Sequence, residues 1–258
     1  MPTIKDKLYF NLDGKSSKDF NLINVVLDSS MYEETLVGNR DIVETTVRGN
    51  RKPLFSGINE SPIEFDLNLA FEKKYTDSNI DEIIRWLFID YYRPLYFEGK
   101  ENKIYMVMPV GDSTITHNGL NEGYITIRMR CDSPNVYSPL VTTPLKTIDT
   151  SDGTTTISIN NDGHFIIYPE ISFKKIGAGK VVIESLDDDN SIFEINGLTD
   201  QEDIYINSEK EIIETDIIGV YRYGNIVGDF PRLLMGTNRL KVTGRCAIQV
   251  RYKLIYRF

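Results

Sequence analysis

The sequence predicts a mainly β protein: an N-terminal β-rich domain carrying one α-helix, then a C-terminal antiparallel sandwich or jelly roll. Three observations carry this. The segments 62–71, 123–133 and 246–258 alternate apolar and polar residues with the two-residue period of half-buried strands. A single stretch, 77–91, has helical spacing. The second half consists of short apolar runs separated by turn signals.

Taken in order, KLYFNLDGKSS sets Leu8, Phe10 and Leu12 against Tyr9 and Asn11 and turns at Asp13-Gly14. Residues 24–27 form a second short apolar run. RDIVETTVR at 40–48 predicts a strand with Val43, Thr45 and Val47 on one face, and PLFSGINESP at 53–62, with two prolines and a glycine, reads as an ordered loop. In PIEFDLNLAF, Ile63, Phe65, Leu67, Leu69 and Phe71 point one way and Glu64, Asp66 and Asn68 the other. Ile80, Ile83, Ile84, Leu87 and Tyr91 then predict a helix near 78–92, capped by Ser78 with Asp81 and stopped by Pro94. PLYFEGKENKIYMVM predicts a hairpin turning at residues 99–102. GYITIRMRCDS places Ile125, Ile127, Met129 and Cys131 on one face.

The stretch SPLVTTPLKTIDTSDG is rich in Pro, Ser, Thr and Asp and has no helical stripe, which divides the chain into domains 1–140 and 141–258. Beyond it, TTTISI, HFIIYPEISF, KVVIES, SIFEI, DIYI, GVYRY and RLKV predict short strands. The final run sets Cys246, Ile248, Val250, Tyr252, Leu254, Tyr256 and Phe258 against Arg245, Gln249, Arg251, Lys253 and Arg257.

A chain of 258 residues, 41% hydrophobic, is long enough for two cores. Its net charge of −9 argues against a grip on nucleic acid or on an anionic membrane. MPTIKDKLYF lacks the apolar core of a secretory signal, and no run is long enough to span a bilayer. Two distant cysteines indicate no disulfide framework, so synthesis in a reducing cytoplasm is expected.

No catalytic, cofactor or metal residue is predicted. His117 and His164 sit beside glycine turns without ligand-spaced neighbours. Cys131 and Cys246 fall on apolar strand faces, where a thiol is an inert hydrophobe. There is no GxSxG, and GAGK at 177–180 joins two strands without opening a helix. A glycosidase would need two facing acids. The Asp187-Asp188-Asp189 cluster reads instead as a solvated turn, or at most a calcium loop without EF-hand spacing. A lectin-like, sugar-binding module is the alternative, with Tyr221, Tyr223 and Phe230 as stacking candidates. Ordinary packing under a loop is the competing reading for them.

The ordered set FNLDGKSS (10–17), VRGNRKPLF (47–55), DEIIRWLF (81–88), YRPLYF (92–97), GYITIRMRCDSP (123–134) and YSP (137–139) resembles the distal tail protein of long-tailed, siphovirus-type bacteriophages. NDGHFIIYPEISF (161–173) and GTNRLKVTG (236–244) extend the resemblance across nearly the whole chain. It implies a virion protein with an N-terminal belt domain forming a hexameric ring and a galectin-like C-terminal sandwich. Such a ring would be a hub joining the tail tube protein to tail-tip or receptor-binding proteins, with subunits pairing through residues 1–138. DNA would pass through the lumen without specific binding, as an acidic lining favours. Some members carry large sugar-binding inserts in the second domain, and no stretch here is long enough for one.

Overall fold

The structure, a computed structural model, describes residues 7–27, 37–150 and 153–257. It divides into two compact units, residues 7–137 with Arg257, and Ser138–Tyr256.

The first unit opens with a hairpin of Phe10–Leu12 (β1) and Lys15–Ser16 (β2). Its two-residue loop, Asp13-Gly14, has φ of 54° and 80°, the left-handed pair that matches the twist of the flanking strands. There follow Leu22–Asn24 (β3), Arg40–Thr45 (β4), Leu54–Glu60 (β5), Glu64–Phe71 (β6), the helix Asp77–Leu87 (α1), Arg93–Phe97 (β7), Tyr105–His117 (β8), Gly123–Cys131 (β9) and Asn135–Tyr137 (β10). Seven strands form one sheet in the order β2-β1-β7-β8-β9-β6-β3. The Asn24 amide donates to the Leu8 carbonyl (2.8 Å), which brings the far strand back beside the start of β1.

The predicted alternation in β6 and β9 holds. Leu67, Leu69, Ile125, Ile127, Met129 and Cys131 are buried, while Arg128 and Glu64 pair at 2.8 Å on the opposite face. At Gly123 an added Cβ would lie 2.0 Å from the Thr116 carbonyl oxygen, so only glycine fits where β9 meets β8.

Several expectations are corrected here. The short strand β3 covers Leu22–Asn24, upstream of the apolar run expected at 24–27. The helix is capped by Thr76 and Asn79, not Ser78 and Asp81: Thr76 Oγ1 accepts from the Asn79 amide (3.3 Å), and Asn79 Oδ1 from the Thr76 amide (3.0 Å). It ends at Leu87, short of Pro94, because Phe88 leaves the helical region (φ −97°, ψ 82°). The buried Arg93 guanidinium takes the orphan Leu87 carbonyl at 2.8 Å. Pro94 lies inside β7. The buried side of α1 is Ile83, Trp86 and Leu87, and Ile84 and Tyr91 face solvent. Residues 54–60 are a strand, β5, where a loop was expected. The β4–β5 pair lies apart from the main sheet, so β4 buries no face.

The second unit contains Val141–Thr142 (β11), Lys146–Ile148 (β12), Thr154–Asn161 (β13), Glu170–Lys175 (β14), Gly179–Ser185 (β15), Ser191–Leu198 (β16), Asp203–Asn207 (β17), Ile212–Thr215 (β18), Ile226–Gly228 (β19), Gly236–Thr243 (β20) and Cys246–Tyr252 (β21), and, except for Arg257, the strand Ile255–Arg257 (β22). One sheet runs β11-β21-β14-β17-β18, with β12 also on β21; the other runs β13-β20-β15-β16-β19. One buried cluster draws on both, with Phe173, Ile206 and Ile248 from the first and Ile183, Phe193 and Leu240 from the second. This is a β-sandwich.

Three details differ from expectation. Residues 138–150 are not a bare connector, since β11 and β12 pair with β21. In HFIIYPEISF the strand starts only at Glu170, after Pro169, which has no amide to give a ladder. GVYRY forms no strand and leads into a 3-10 turn, Tyr223–Asn225. Residues 1–6 of the N-terminal segment, and Phe258 at the end of the alternating run, lie outside the described residues.

Candidate functional site: an assembly interface

The three proposed sugar-contact residues have different surroundings. Tyr221 is 83% exposed. Tyr223 is half exposed, and its hydroxyl accepts from the Ile213 amide at 3.3 Å. Phe230 packs on the core with its ring 5.1 Å from that of Phe193.

The polar groups singled out in the sequence are engaged locally. His117 meets Tyr75 edge-on, with Nδ1 3.1 Å from the Asn118 carbonyl; His164 meets Tyr256 edge-on. Of the acidic cluster, Asp189 is exposed in the turn as expected, whereas Asp187 and Asp188 are paired. Arg239 pairs with Asp187 at 2.7 Å, and Arg232 clasps Asp188 at 2.7 and 2.9 Å. Those hydrogen bonds hold both carboxyls below the usual carboxylate range. Burial pushes the Cys131 thiol up to about 12 and the Cys246 thiol up to about 11. Among the described residues no group of three or more His, Cys, Asp or Glu is placed to hold a metal ion, and no helix is long and apolar enough to cross a membrane.

One groove of about 510 Å³ lies on the outer face of the first sheet of the sandwich. Cross-strand pairing lines up Gln249, Ser172, Tyr205 and Glu214 in one row. Several of its polar groups engage one another or the backbone. Lys174 pairs with Asp203 at 3.2 Å, Asp216 accepts from the Asp203 amide, and Gln249 donates to the Thr143 carbonyl.

The larger departure from a self-contained surface is in the first unit. In the β4–β5 ribbon, Ile42 faces Ile58 and Glu44 faces Phe55 across the strands, with a bulge between. Ile42, Phe55, Leu54 and Val43 are 66%, 66%, 54% and 48% exposed. A two-stranded ribbon alone is marginal in water, and its edges are open for pairing. Each such side chain would contribute about 1.5–3 kcal/mol if fully buried. A second apolar patch runs along the outer side of α1 and its exit, Ile84, Phe88 and Tyr91. Large exposed apolar patches are where soluble proteins commonly meet partners. Sequence reasoning missed the ribbon because it looked for one buried face. The signal was present in apolar residues of both parities, Ile42 and Val43, then Leu54 and Phe55, flanking the Gly49-Asn50 turn.

The chain is a two-unit β protein with an exposed apolar ribbon. Residues 5–133 match the family model of the phage tail protein N-terminal domain, and the chain belongs to that family. It is 30% identical over 253 residues to the SPbeta prophage-derived uncharacterized protein YomH of Bacillus subtilis (strain 168), covering 98% of this chain and 99% of that protein. In fold it is similar to the Dit protein (gp 19.1) of SPP1, described as a paradigm of the hub adsorption apparatus in phages infecting Gram-positive hosts. The TM-score is 0.69 at 16% identity, covering 96% of this chain and 98% of that one. A chain of the phage P2 baseplate in its activated, Ca conformation is also similar, with TM-score 0.53 and 10% identity, covering 95% and 97%. The chain is thus a mainly β phage tail protein.

Proposed function

We propose that this chain is the hub of the tail tip. Six copies close into a ring that joins the tail tube protein to the tail-tip or receptor-binding proteins, and DNA passes through without being held. The observation that carries this reading is the whole-chain likeness in fold to SPP1 Dit, both units included, in a member of a phage tail family. The exposed ribbon supports it, since apolar strands left in water call for neighbouring subunits. In this reading residues 1–140 form the ring, residues 141–258 form the sandwich, and the chain performs no chemistry. The groove on the sandwich supports that last point, because Lys174 and Asp203 pair with each other and Asp216 accepts a backbone amide. The net charge of −9 suits a lumen that repels phosphate. Negative-stain imaging of the purified chain tests the reading: six-fold rings are expected, and a field of single particles the size of one chain would refute it.

A second reading, attachment to a host-surface sugar, is favoured only by the exposed ring of Tyr221 beside the half-exposed Tyr223. It predicts glycan-array binding that disappears in Tyr221→Ala.

A further inference from the structure

We propose that the β4–β5 ribbon of one subunit docks on the outer side of α1 of the next subunit, in a second copy of this chain. The inference rests on the ring reading and names the contact that closes the ring.

Three observations carry it. First, the ribbon and the outer side of α1 are both exposed within one chain, so the ribbon does not cover its own helix. Second, the two surfaces match in chemistry. The ribbon offers Ile42, Phe55 and Ile58 on one face, and the helix offers Ile84, Phe88 and Tyr91. Third, they match in charge. The tip of the ribbon, residues 45–55, holds Arg48, Arg51 and Lys52 and no acid, a net +3, while the strands below it bring Asp41, Glu44 and Glu60 against Arg40. Residues 77–91 hold four acids and one base, a net −3, and Asp77, Asp81 and Asp90 are exposed beside the apolar stripe. Opposite charge around an apolar contact fixes register and suppresses wrong pairings.

The two surfaces differ, so the contact is head-to-tail. Such contacts build closed rings when the rotation per subunit closes and open filaments when it does not. DNA is the other polyanion the basic tip could meet. The tip, however, is continuous with exposed Val47, Leu54 and Phe55, which a phosphate contact does not use.

The test uses the full chain and native mass. Arg48→Glu/Arg51→Glu/Lys52→Glu should convert rings to monomers, and so should Asp77→Lys/Asp81→Lys/Asp90→Lys. Combining the two sets should restore the ring, which a folding defect cannot do. Independently, a Phe55→Cys/Phe88→Cys chain should oxidise to a covalent ladder ending at six, since both natural cysteines are buried. Rings that survive both single-side variants, or a combined variant that is folded but monomeric, overturn this pairing and leave the ring reading intact. So does a tip variant that keeps its ring and loses only retention of DNA. A wild-type chain that is monomeric, together with a Phe55→Cys/Phe88→Cys chain that gives no ladder, overturns the ring reading and this pairing together.

Discussion

Arg222 meets Glu202 through two hydrogen bonds, Nε to Oε1 and Nη2 to Oε2, both 2.7 Å, with the carboxylate closed to solvent. Around them the Thr199 amide and the Thr215 hydroxyl donate to the same carboxylate, and Arg222 also donates to the Gly197 carbonyl. One buried ion pair thereby ties the exit of β16 to the loop after β18.

Removing one partner leaves the other charge buried alone. Arg222→Ala is expected to destabilise the second unit by about 3–5 kcal/mol. Chemical denaturation read by circular dichroism checks this, and an unchanged midpoint would remove the pair from the account.

Acid should act through the same carboxyl. Burial alone would raise it, but Arg222, the Thr199 amide and the Thr215 hydroxyl outweigh burial, so it lies below its ordinary 4.5. A carboxyl lowered on folding stabilises above its unfolded pKa, and that stability is lost as pH falls through the folded value. Asp187 and Asp188, held down by Arg239 and Arg232, act in the same direction below 3.8. The denaturation midpoint should therefore fall as pH drops below about 4.5, and less steeply in Glu202→Gln. A midpoint that climbs on acidification would contradict this.

Trp86 is the only tryptophan, so its fluorescence reports the first unit alone. Its ring stacks on Phe20 at 4.2 Å and Phe10 at 5.6 Å, and Nε1 donates to the Leu12 carbonyl at 3.2 Å. Emission should be blue-shifted in the native chain and shift red on unfolding. Trp86→Ala should cost about 3–5 kcal/mol through the cavity and the lost stacking. Red native emission would show the indole wet.

Both thiols should resist a thiol reagent in the folded chain and react once denatured, because thiolate is the reactive form and burial suppresses it. Reaction of one equivalent under native conditions would place a cysteine at the surface.

The strands that face a single core were legible because burial imposes a two-residue period. Leu67 to Leu69, Ile125 to Cys131 and Cys246 to Val250 are all buried as their alternation requires. The helix was legible as a helix but not in its limits. Ser78 and Pro94 are plausible punctuation, yet the observed start and stop depend on Thr76 with Asn79 and on Arg93 reaching back to Leu87. That last contact joins two elements, which no local rule describes. The ribbon was half legible, since Gly57 and the flanking prolines of 53–62 look like loop chemistry while β5 forms by pairing with β4. The Asp187 and Asp188 ion pairs were hidden for the same reason, their arginines lying 52 and 44 residues away.

Native mass of the purified chain decides whether six copies assemble. A dominant species at six times the 29.6 kDa chain mass is expected. A folded chain that remains at 29.6 kDa across the accessible concentration range would contradict it.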